Sequence, residues 1–163
     1  MNNVEVQRLL DDCSTELSQV KTLIDGLGVA SNIAPYLTKY SLIRACGTVE
    51  QAFKSIICDF CSRRGKKQVK RFIEQRVRDS SINPSYSNIC KLLKEFDEDW
   101  STHFKTSIGN SPHKDAWMTS LQSLVDVRND FAHGGNPSAS IGDVMRYYQH
   151  SRAVIEALDL NVI

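Results

Sequence analysis

A chain of 163 residues, 41% hydrophobic and 24% charged, is long enough to bury one core and too apolar for a disordered segment. Lys and Arg number 20 against 19 Asp and Glu, so the formal charge is only +1, and the total selects no polyanionic partner; only its distribution can. Five cysteines, no basic-then-apolar leader in Met1 to Leu10 and no apolar run of bilayer length predict a cytoplasmic protein with reduced thiols and no membrane association.

Helical periodicity runs through nearly the whole chain. A first helix is predicted from Val4 to Leu27, where Leu10, Cys13, Leu17, Val20 and Ile24 recur at three- and four-residue steps and Gly26 and Gly28 close it. A second spans Pro35 to Ser62, with Leu42, Cys46, Val49, Phe53, Ile56 and Phe60 as its apolar stripe. A third, Lys66 to Arg78, is strongly basic, with Val69, Phe72, Ile73 and Val77 as its apolar edge. A fourth covers Tyr86 to Phe96. A less regular stretch around Trp100 and Phe104 adds one more turn, and Gly109 to Pro112 reads as a loop.

A fifth helix starts near His113 and ends at Ala132 before Gly134, Gly135 and Pro137. Ser140 reads as the N-cap of a sixth, Ile141 to Leu158, with Asp143 in its first turn. No segment alternates as a strand does. The expectation is a single all-α domain over 1–163, an up-and-down bundle of five to seven helices.

Chemistry concentrates in Val127-Arg128-Asn129-Asp130-Phe131-Ala132-His133-Gly134-Gly135. With Leu124 at the centre of the fifth helix's buried face, Arg128 falls inside the apolar stripe, where a guanidinium needs a partner. Glu50 flanks the stripe of the second helix, among Ile43, Cys46 and Ile57. Arg128 and Glu50 are therefore expected to face one polar pocket, either as a structural ion pair or as part of a site. His133 lies about 140° around an ideal helix from Arg128, so the helix must unwind before the glycines or the groove must lie between two copies of it. Asn129, four residues before His133, shares its face and is placed to orient the ring.

This segment resembles the signature of the HEPN superfamily: arginine, a polar residue, then histidine after a short gap at the end of a late helix. Leu42 to Glu50 resembles the long HEPN helix that carries a glutamate, and Pro137 to Leu160 resembles the last helix of the RiboL-PSP branch. The resemblance implies an all-α domain that pairs its motif helices across a two-fold axis as a homodimer. It implies metal-independent cleavage of RNA without a cofactor, often as a bacterial or phage toxin or defence effector. Arg128 and His133 would then be the catalytic residues, with Asn129, Glu50 and Asp130 in support.

RNA carries its own nucleophile, the ribose 2′-OH. Histidine can move the proton on or off near neutral pH, and the arginine fork can hold the phosphate oxygens. The basic stretch Arg63, Arg64, Lys66, Lys67, Lys70, Arg71, Arg76 and Arg78 is a candidate phosphate track, a solvated face, or a surface for an acidic partner such as an antitoxin. Two other readings stand beside the nuclease: a non-catalytic HEPN module that binds RNA or a protein, and a target of a neighbouring nucleotidyltransferase, with Tyr147 near the motif. Asp126 and Asp130 read as a solvated edge rather than a cation site. Cys58-Asp59-Phe60-Cys61 lacks the second pair that a zinc site needs and reads as core filling.

Overall fold

The computed structural model describes residues 1–28, 31–63 and 65–163. Among the described residues seven helices follow in order: α1 Val4–Leu27, α2 Ala34–Ser62, α3 Lys67–Ile73 continued by a π-helical turn Glu74–Arg78, α4 Tyr86–Phe96, α5 Glu98–Gly109, α6 Lys114–Ala132 and α7 Ile141–Asn161. Among the described residues there is no strand, and no helix is long and apolar enough to cross a membrane. The architecture is the expected all-α bundle.

α2 is the spine. It packs against α1, α3, the π-turn, α6 and α7. Leu10 and Leu17 of α1, Phe53 and Ile57 of α2, Leu93 of α4, Phe104 of α5, Leu124 of α6 and Tyr148 and Ile155 of α7 form one continuous core. Each such side chain contributes roughly 2–3 kcal/mol by leaving water, which is what holds helices of modest propensity in place. Tyr148 adds a polar tie, its hydroxyl donating to the Leu10 carbonyl at 2.7 Å.

The ends of the bundle are stitched by polar groups. Asp159 of α7 is buried and accepts the backbone N–H groups of Asn2 and Asn3. The Asn3 side chain caps α1 and also donates to Asp59 of α2 at 2.9 Å. Asp59 in turn accepts from Arg78 at 2.7 Å, and Arg78 also holds Ser55 and Glu74.

Two segments depart from the expected layout. The single turn expected near Trp100 is a full helix of 12 residues, and Gly109 belongs to it rather than to a loop. Asp97 starts it by accepting from the N–H groups of Asp99 and Trp100. The basic third helix widens at Glu74, where the Asp79 N–H reaches back five residues to the Glu74 carbonyl. Only Ile73 and Val77 of this arm are buried; Val69 and Phe72, expected on its apolar edge, are 48% and 61% exposed.

Candidate active site at the end of the motif helix

α6 keeps α-helical form to Ala132 because its apolar positions lie on α7 on one side and α2 on the other. Leu121, Leu124 and Val125 are buried, and Arg128, one turn on, is half-buried at the seam. The helix then stops abruptly. Gly134 has φ +87°, its N–H donates to the Phe131 carbonyl, and the Gly135 N–H reaches the Asp130 carbonyl at 2.8 Å. This pair of bonds satisfies carbonyls that a helix end leaves open, and the left-handed residue between them must be glycine-like.

His133 is the residue on which the helix unwinds, with φ −92° and ψ 15°. Its own N–H donates to the carbonyls of Asn129 and Asp130, and its ring is exposed. The unwinding expected before the two glycines thus begins at the histidine itself.

Arg128 does not pair with Glu50. The Glu50 carboxylate is taken by Lys54, four residues on in the same helix, at 2.6 Å. Lys54 is 3% exposed and donates as well to the Ser80 carbonyl. The expectation that Glu50 grips Arg128 is corrected on this point: the i,i+4 partner within α2 wins because it needs no second helix to be positioned. That Glu–Lys spacing is legible in the sequence and was the signal for Lys54. Both charges still act on one place. Burial pushes the Cys46 thiol of α2 up to about 11, with Arg128 pulling it down and Glu50 pushing it further up.

The hydrogen bond that Arg128 makes is to its neighbour. Its Nη1 donates to Oδ1 of Asn129 at 3.1 Å, and no carboxylate among the described residues lies within ion-pair distance. The side chain of Asn129, expected to orient the histidine ring, receives the guanidinium of Arg128. Asp130 is exposed and its carboxylate lies against Gly135, where an added Cβ would overlap it.

Lys39 was not foreseen. Its ammonium lies 5.6 Å from the centre of the Phe131 ring and 5.9 Å from that of Tyr36, tying the end of α6 to the start of α2. Beside it, the loop Asn136 to Ser140 walls a cavity of about 370 Å³ with Leu42, Ile141 and Val144.

The matching family covers this whole assembly: the model of the RiboL-PSP-HEPN family matches residues 8–162. The chain belongs to the RiboL-PSP-HEPN family. No curated protein and no solved structure matches it. HEPN domains include ribonucleases and RNA-binding modules.

The expected RNA-binding residues fall into two groups. Arg63, Lys66, Lys67, Lys70 and Arg71 are exposed and, among the described residues, unpaired with any carboxylate. Arg64 lies outside the described residues. Arg78 is consumed by Asp59 and Glu74. Along α2 the site and this basic arm are well separated. Arg128 acts on Cys46, whereas Arg78 docks on Asp59, an axial offset of about 20 Å at 1.5 Å per residue.

The cysteines sit where apolar side chains would. Cys13, Cys46, Cys58 and Cys90 are buried, and burial pushes Cys58 up to about 11. Among the described residues, no group of three or more His, Cys, Asp or Glu side chains comes together.

Proposed function

We propose that this HEPN domain is a metal-independent endoribonuclease that works as a homodimer, with Arg128 and His133 at its reaction centre. The observation that carries the reading is the state of Arg128: half-buried, hydrogen-bonded to Asn129, and without a carboxylate to neutralise it among the described residues. A guanidinium held this way is a ready anion site, and its fork matches two oxygens of a phosphodiester.

The chemistry asks little more. A histidine takes the proton from the ribose 2′-OH as that oxygen attacks phosphorus. Arg128 stabilises the charge gathering on the non-bridging oxygens. A second imidazolium protonates the departing 5′ oxygen, leaving a 2′,3′-cyclic phosphate and a 5′-hydroxyl. One chain has one His133, so the acid and the base come from two copies. Tyr36, Tyr40 and Ile43 form an exposed stripe on α2 near the end of α6, with open space over Gly47 one turn on. Such a stripe supports the pairing of two protomers. Asp130, exposed beside the turn after His133, is the supporting charge. A toxin or defence role, restrained by an acidic antitoxin, fits an enzyme of this kind.

The deciding experiment is to incubate purified protein with mixed-sequence RNA in EDTA and identify the product ends. Cyclic-phosphate ends that vanish in His133→Ala, with the melting temperature unchanged, support the proposal. RNA that is bound and left intact makes the domain a binding module.

A further inference from the structure

α3 and its π-turn form an arm that docks on α2 through buried Ile73 and Val77 and through the contacts of Arg78 with Ser55 and Asp59. Its outer side is unusual. Phe72 is 61% exposed, the Arg76 guanidinium covers one face of its ring at 5.8 Å, and Val69 stands exposed one turn before it. Arg71, next to Phe72 in the chain, is exposed as well, and among the described residues no carboxylate pairs with Arg71 or Arg76. An aromatic ring left in water amid unneutralised cations has no role in the packing of this chain.

We propose that this arm is a platform for single-stranded RNA, on which Phe72 stacks one base while Arg71 and Arg76 hold the neighbouring phosphates. The proposal rests on the family's RNA-directed reading and extends it to residues away from the motif. Charge complementarity and the open ring face select the ligand. A π-face accepts any base, and the backbone supplies the negative charge. Arg76 lies close enough to the ring to add a cation–π contribution beside an incoming base. A membrane surface fits poorly, because one exposed Phe and one exposed Val make too narrow an apolar face for an interfacial helix.

The test uses the full chain carrying His133→Ala, so that binding is read without cleavage. Anisotropy of a labelled single-stranded RNA should show Phe72→Ala weakening binding about ten-fold, within the range of one lost base stack. Arg71→Gln should flatten the salt dependence of affinity. Phe72→Trp should retain affinity, and RNA should quench its added emission relative to the parent. The proposal is overturned if Phe72→Ala binds as tightly as the parent, if the added tryptophan ignores RNA, or if the arm responds to anionic vesicles or an acidic peptide in place of RNA. Should the His133-intact chain fail to cut RNA while Phe72-dependent binding persists, the ribonuclease reading falls and the platform stands.

Discussion

Arg128 donates to the side chain of the residue that follows it, Asn129, at 3.1 Å. Asn129 also receives the backbone N–H of His133, so one residue touches both members of the motif. Asn129→Ala should therefore lower RNA cleavage about ten-fold by releasing the guanidinium, with a loss of one neutral–charged hydrogen bond worth roughly 1.5 kcal/mol. Arg128→Lys should fall further, about a hundred-fold, because a point charge cannot replace the planar fork. His133→Ala should lose about 10²–10⁴, the span of a proton-transfer group. Cleavage rates beside thermal melts separate these from unfolding.

Lys54→Ala should destabilise the fold without touching the motif. It strips a buried ammonium from Glu50 and from the Ser80 carbonyl. Glu50 keeps some contact with water, so the cost should be roughly 2–3 kcal/mol, below that of a fully buried broken pair. Lys54→Met, which keeps the stem packed, should cost less. Urea midpoints measure both.

Gly134→Ala forces a Cβ onto φ +87° and should cost about 1–2 kcal/mol. Gly134→Asn should cost less, because Asn tolerates that region. Since the turn sets where His133 leaves the helix, cleavage should fall more than stability does; paired rate and melting measurements check this.

Alkaline pH should weaken the fold. Burial raises the Cys46 and Cys58 thiols to about 11 from an ordinary 9.0. The unfolded chain ionises first, so stability is full below pH 9.0 and declines as pH rises from there to about 11. Each thiol contributes a slope of about 1.4 kcal/mol per pH unit in that window. Cys46→Ala should flatten the slope measured by urea titration at several pH values. In native protein at neutral pH, a thiol reagent should label half-buried Cys61 before the other four.

The parts of the fold legible in the sequence were those whose signals are local. Ser140 caps α7 as expected, with Asp143 in the first turn closing a capping box, and the termini of α1 and α4 fall where periodicity put them. α5 was underestimated because Trp100, Phe104 and Ile108 repeat every four residues with polar neighbours that gave no strong stripe; Asp97 as a cap was the missed cue. Phe72 shows the limit of periodicity. It repeats at helical spacing with Val69, yet α2 is wide enough to cover only Ile73 and Val77. For the site, the motif's position at a helix end was readable. The partners of Arg128 and Glu50 were not, because each had a candidate across the bundle and a nearer one along its own chain.

The turn after His133 asks for two glycines for different reasons, and they should diverge under randomisation. Position 134 answers to backbone handedness alone, so survivors there should be Gly and Asn, whatever surrounds them. Position 135 answers to its neighbour, since a side chain there would evict the Asp130 carboxylate. Larger residues should return at 135 chiefly in clones where 130 has shrunk, making this pair a linked trait in selection while 134 behaves as a solitary one.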